Sequence, residues 1–181
     1  PVVIMPLFHT FEPLDNPELT EAVKEFVQKA GLNVLGVFRW GLEEKTQTAN
    51  AALAGIGKTR RIILGDTMLS GYSKEEILAV LAHEVGHYRN RDIVRLIVAG
   101  AALASVGFYI AHISLRVLVR YFGFEGAADI ASFPVFVFCL FVFSLITMPV
   151  GNAYSRRREW AADEYAVRSM GSAGPLVTAL E

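Results

Sequence analysis

The sequence has a single cysteine and no excess of charge of either sign. Cys139 by itself cannot build a disulfide framework, which is consistent with a reducing compartment. The 181 residues include 17 basic and 18 acidic side chains, for a formal net charge of −1. This balance does not indicate a nucleic-acid-binding protein, and we expect no nucleic-acid partner.

Charge is also missing from two long segments. No formally charged residue occurs over roughly 20 residues from Leu96 to Leu115, or over roughly 26 from Ile130 to Ser155, and each segment is long enough to cross a bilayer as a helix. Hydrophobic residues make up 53% of the chain. We predict a two-helix transmembrane hairpin in contact with membrane lipid. The alternative is a pair of buried helices in a soluble domain.

Basic residues predict the orientation of this hairpin. They flank its two outer ends, whereas the connecting loop has a mixed charge; the flanking residues are Arg89, Arg91 and Arg95, then Arg156, Arg157 and Arg158. Because basic residues favour the cytoplasmic side, we expect both outer ends to face the cytoplasm. The protein would then be an integral protein of the cell inner membrane or of an endomembrane.

A His-Glu-x-x-His motif precedes the first apolar segment. Ser73 and Glu76 form a capping-box pattern that predicts a helix without reference to the motif. On that helix His83 and His87 lie one turn apart on the same face, where both can bind one zinc ion, and Glu84 between them is the expected catalytic base. The alternative is a structural pair of hydrogen-bonded histidines.

A third protein ligand is expected after the second apolar segment. Glu159 and Asp163 stand four residues apart on a predicted helix and share a face. A His₂Glu set leaves one zinc position open for water, whereas structural zinc is typically closed by cysteine, and Cys139 lies in an apolar run. We predict Glu159 as the ligand and Asp163 as the acceptor of a ligand histidine's free ring N–H. The alternative is a solvated acidic face.

The N-terminal third is predicted to contain a helix and a small sheet. Asn16 followed by proline predicts a helix start, and Gly31 predicts its end. The segments 34–40 and 61–64 are rich in strand-forming residues.

The segment 46–55 is predicted to be a strand of small residues at the edge of this sheet, near the metal. An exposed edge can bind an extended peptide as an added strand. Asn50 is a candidate anchor for such a peptide; alternatively it is a turn residue that hydrogen-bonds its own backbone.

Several separated motifs together cover nearly the whole chain: Pro6-Leu7-Phe8, Phe11-Glu12-Pro13-Leu14, Asn50-Ala51 with Gly55, Arg61 to Thr67, the motif at 83–87, and Ser155-Arg156 with Glu159 and Asp163. In their residues and their order they resemble one known family, the integral-membrane zinc metalloproteases typified by CAAX prenyl protease 1, to which the heat-shock protease HtpX is related.

The resemblance implies one zinc ion per chain, held by His83, His87 and Glu159, with Glu84 as base. It also implies that Asp163 supports a ligand histidine and that Asn50 contacts substrate backbone. Further membrane helices ahead of Pro1 and a segment after Glu181 would belong to the complete protein, so we expect this chain to be a fragment.

We therefore predict an α+β fold that is mainly α. A helix and small sheet over 1–72 would form the substrate platform, followed by the zinc-motif helix at 73–95, the hairpin at 96–150 and the third-ligand helix at 151–181, together forming one catalytic domain.

The predicted function is a membrane-embedded zinc metalloendopeptidase acting on a peptide or protein substrate. Metal-activated water would attack the peptide bond, and Arg156 is a candidate donor to the developing oxyanion. The alternative is a zinc-stabilised membrane scaffold that binds peptides without cutting them.

Overall fold

The computed structural model describes residues 11–41, 51–55, 57–126 and 129–181. These residues form a mainly helical protein with one small mixed sheet, which confirms the predicted fold class. They divide into two compact units, one formed by the described residues up to Asn90 together with Glu159–Glu181 and the other by those from Arg91 to Arg158.

The sheet of the first unit contains four described strands. Its order is β1-β2-β4-β3, in which β2 and β4 are parallel and the two outer pairs are antiparallel. The strands are β1 (Phe11–Pro13), β2 (Val37–Trp40), β3 (Ala51–Ala54) and β4 (Arg61–Gly65). Ala51–Ala54 thus forms an edge of the described sheet, as predicted; positions 46–50 of that predicted strand lie outside the described residues.

Four shorter helices accompany the sheet in the first unit. They are α1 (Pro17–Lys29), α2 (Asp66–Gly71), α3 (Lys74–Arg89) and α6 (Gly174–Leu180). The predicted caps of α1 are confirmed: the Asn16 side chain accepts from the Leu19 amide, and Gly31 adopts a φ of 77° just beyond the helix. Helix α3 begins with the predicted capping box, in which Ser73 and Glu76 each bond the other's backbone amide.

An apolar core fixes α3 to the sheet. Buried side chains from α1, the sheet and α3 meet there, and the central members include Val23, Val27, Ile62, Leu64, Leu81 and Val85. Alanines on the other side of α3 pack against Ala166 and Leu176. Helix α3 is therefore held on two sides, which restricts where its polar residues can lie.

Two long helices account for the second unit. Helix α4 spans Asp92–Phe122, and helix α5 spans Phe133–Met170. Helix α5 belongs to the second unit as far as Arg158 and to the first unit from Glu159 onwards. Within the second unit the two helices run antiparallel: Asp92 at the start of α4 pairs with Arg158, and further along α4 the Phe108 ring stacks on the Phe136 ring with centroids 6.5 Å apart. Both helices are long and apolar enough to cross a membrane, and only 6% of each apolar window is buried.

Several features of the fold differ from the sequence expectations, among them the short helices α2 and α6, which were not predicted. Strand β1 was not predicted, because its three residues carry too short a pattern to recognise. Arg91 adopts a left-handed conformation, with φ of 54°, and separates the zinc-motif helix from α4 at Asp92. Helix α5 continues through Pro149, so the second apolar segment and the predicted third-ligand segment form one helix.

Candidate active site

Helix α3 presents both histidines of the motif on one face. Their side chains are largely buried, with His83 20% and His87 24% exposed. The two Nε2 atoms lie 3.1 Å apart, and the rings meet edge to face. Two ring nitrogens converge on one point because a four-residue spacing is slightly more than one helical turn of 3.6 residues.

Glu159 on α5 completes a three-ligand cluster with the two histidines. Its Oε2 lies 3.4 Å from the Nε2 atom of His83 and 3.3 Å from that of His87. An ion with tetrahedral bonds of about 2.0–2.1 Å holds its ligand atoms about 3.3–3.4 Å apart. The three separations fit a tetrahedral metal such as zinc, and these residues could hold one metal ion.

Asp163, one turn beyond Glu159, orients the ring of His83. Its Oδ1 lies 2.8 Å from the Nδ1 atom of that ring. In neutral histidine the Nδ1–H donates to the carboxylate, which leaves the Nε2 lone pair directed towards the cluster. A histidine that binds metal through Nε2 requires this tautomer, and a carboxylate partner on Nδ1 fixes it.

Glu84 occupies a half-buried position on α3 between the two histidines. Burial raises the pKa of its carboxyl above the ordinary value of 4.5, and the negative charge of Glu159 acts in the same direction, while the two histidine rings oppose it. A raised pKa makes the carboxylate a better proton acceptor, which is the property required of a general base.

Helices α3 and α5 come close enough for this cluster because Gly86 lacks a side chain. A Cβ added there would lie 3.0 Å from the Cα and 3.1 Å from the carbonyl oxygen of Ala162, and 3.3 Å from the Cβ of Tyr165. The role of Gly86 was not predicted from the sequence. The available signal was a glycine inside a helix, which costs about 1 kcal/mol relative to alanine and so usually has a packing reason.

The candidate substrate-binding residues are less fully described. Strand β3 packs against α3, so an edge of the sheet lies beside the helix that carries the motif. Asn50 lies outside the described residues. Arg156 is an exposed residue of the second unit, on α5.

Comparison with known proteins is consistent with the motif and the cluster. The model of "Peptidase family M48" matches residues 13–181. The chain is 36% identical over 172 residues to the uncharacterized metalloprotease YhfN of Bacillus subtilis, which covers 92% of this chain and 40% of that protein. It is 32% identical to protease HtpX of Pseudomonas fluorescens, over 90% of this chain and 54% of the relative.

A solved structure is also similar. The crystal structure of Ste24p from S. mikatae superposes with a TM-score of 0.79 at 28% identity, covering 99% of this chain and 45% of that protein. The chain thus spans between 40% and 54% of the length of these relatives. With a family match over nearly the whole sequence, the chain belongs to peptidase family M48.

Proposed function

We propose that the protein is a zinc metalloendopeptidase that hydrolyses peptide or protein substrates at a membrane. The observation that carries this proposal is the convergence of His83, His87 and Glu159 on one point beside Glu84. Among the described residues the cluster has three ligand groups, which leaves a fourth tetrahedral position for water, as in catalytic zinc sites. Family membership and the metalloprotease names of the relatives support a metal-dependent reaction.

The proposed mechanism assigns one task to each side chain. Zinc held by the three ligands would polarise the scissile carbonyl and acidify a water molecule. Glu84 accepts a proton from the water molecule as the water oxygen attacks the carbonyl carbon. Glu84 then donates that proton to the leaving nitrogen as the C–N bond breaks. Asp163 keeps the His83 proton on Nδ1, so that Nε2 retains its lone pair.

We propose that the substrate lies extended along strand β3. Edge strands leave main-chain groups available to a peptide, and β3 packs on the helix that carries Glu84. We propose that Asn50 binds the peptide backbone and that Arg156 donates a hydrogen bond to the developing oxyanion. Peptides N-methylated at alternate amides should be cleaved less efficiently than unmodified ones. Equal cleavage of all N-methylated peptides would contradict binding by strand addition.

The catalytic test compares Glu84→Gln with Glu75→Gln, an exposed acid on the same helix. We expect Glu84→Gln to lose roughly 10²- to 10⁴-fold in peptide hydrolysis while still binding zinc, because it removes the general base and no ligand. Glu75→Gln should behave as the parent. Unchanged hydrolysis in Glu84→Gln would refute Glu84 as the base. A parent protein that binds zinc and peptide but releases no product would favour the scaffold alternative.

We propose one catalytic domain interrupted by a membrane hairpin, with the site facing the cytoplasm. The flanking arginines support this orientation. In a Cys139→Ser background, Glu125→Cys places a thiol in the connecting loop and Lys29→Cys places one on α1. A membrane-impermeant maleimide added to intact cells should label the first and not the second. The reverse pattern would overturn the orientation.

A further inference from the structure

Gly86 lies at a contact between two helix backbones. Its neighbours across the contact are the Cα and carbonyl oxygen of Ala162, at 3.0 and 3.1 Å from where a Cβ would lie. Gly86 and Ala162 are both buried. Since backbone atoms cannot move away by changing rotamer, any side chain at position 86 requires α3 and α5 to separate or rotate.

The backbone of position 86 does not itself require glycine. Gly86 lies within α3 and is not one of the described glycines that have a positive φ. Alanine could adopt the same helical backbone and is a better helix former. Glycine is therefore required at this position by the close approach of α5 and not by the backbone conformation of α3. Gly71, in α2, lacks this constraint: a Cβ there would meet no atom within 4 Å.

The contact lies next to the ligand cluster on both helices. Gly86 precedes His87 directly, and Ala162 lies between Glu159, one turn earlier, and Asp163. A change of a few tenths of an ångström in the helix separation would alter the distances from Glu159 to the ring nitrogens, now 3.3 and 3.4 Å. Metal–ligand distances in protein sites fall within about 0.2 Å of their typical values, so a shift of this size matters to metal binding.

We infer that Gly86 is a positioning residue that sets the distance between the two histidines on α3 and the third ligand on α5. This inference rests on the proposed function, in which His83, His87 and Glu159 hold the metal. Gly86 has no side chain with which to bind metal or substrate. It acts by letting the two helix backbones touch, so that Glu159 reaches the histidines.

The test measures zinc affinity in the purified, metal-stripped protein by competition with a chromophoric chelator. We expect Gly86→Ala to raise the zinc dissociation constant roughly ten- to hundredfold, the range for groups that orient metal ligands. Gly71→Ala is the matched control and should stay within about twofold of the parent. Peptide hydrolysis by Gly86→Ala should recover as free zinc is raised, since Glu84 is intact.

A second variant distinguishes the backbone contact from ordinary side-chain crowding. Ala162→Gly combined with Gly86→Ala removes the Ala162 methyl group but leaves the Cα and carbonyl oxygen in place, so zinc affinity should not recover. Full recovery would overturn the proposed backbone contact. Loss of helical circular dichroism and of cooperative unfolding in metal-free Gly86→Ala would show a general packing residue and also overturn positioning.

Glu159→Gln separates failure of this inference from failure of the proposed function. If Gly86→Ala binds zinc as tightly as the parent while Glu159→Gln loses affinity, the positioning role is wrong and the metal site stands. If neither substitution changes zinc affinity, the proposed metal site itself is wrong.

Discussion

Replacing Asp163 tests how much its hydrogen bond to His83 contributes to metal binding. The bond is 2.8 Å long, and the Asp163 side chain is 41% exposed. Hydrogen bonds to charged groups contribute about 1.5–3 kcal/mol and neutral ones about 0.5–1.5 kcal/mol. Asp163→Asn keeps an acceptor but removes the charge, a loss of about 1–1.5 kcal/mol. Because 1.4 kcal/mol corresponds to a factor of ten, zinc affinity should fall about five- to tenfold.

Asp163→Ala removes the acceptor altogether and should weaken zinc binding about ten- to hundredfold, towards the lower end because water can replace part of the lost bond. The assay is chelator competition against metal-free protein at neutral pH. Glu164→Gln is the control: it removes the same charge from the adjacent residue, whose carboxylate pairs with Arg168 at the surface. Parent-like zinc affinity in Asp163→Ala, or an equal loss in Glu164→Gln, would refute the assigned role.

Three further predictions concern packing, a buried ion pair and metal removal. Gly107→Val should lower the free energy of unfolding of the hairpin by about 1–3 kcal/mol in denaturant titrations, because a Cβ there would lie 2.8 Å from the Phe143 ring. Gly100→Val is the control and should leave this free energy unchanged, because a Cβ at Gly100 would meet no atom within 4 Å. Arg158→Met should cost about 3 kcal/mol, since it removes a charged partner of the buried Asp92, and Asp92→Leu in that background should recover most of it; no recovery would refute the pairing. A zinc chelator should abolish peptide hydrolysis reversibly, and hydrolysis that persists at full chelation would exclude a metal-dependent reaction.

Local sequence signals predicted several of the individual elements. The cap of α1 at Asn16 and the capping box of Ser73 with Glu76 were predicted from single side chains and are confirmed. These signals work because a cap satisfies backbone amides only a few residues away. The two apolar helices were predictable for a similar reason, since length and absence of charge are properties of a single segment.

Contacts between segments far apart in the sequence could not be predicted in this way. The parallel pairing of β2 with β4 and the ion pair between Arg39 and the buried Asp66 could not be read from either segment alone. Neither could the ion pair that joins Asp92 and Arg158. Each depends on which surfaces of the folded chain meet, and no local spacing rule encodes that.

The sequence by itself determined which chemical groups are available: two histidines one helical turn apart, a glutamate between them, and an acidic pair on a later helix. It could do so because helical periodicity converts spacing into a shared face. Only the tertiary structure decided that Glu159 meets those histidines at 3.3–3.4 Å. That distance depends on two helix backbones touching where Gly86 has no side chain, and such a contact exists only once residues far apart in the chain have packed together.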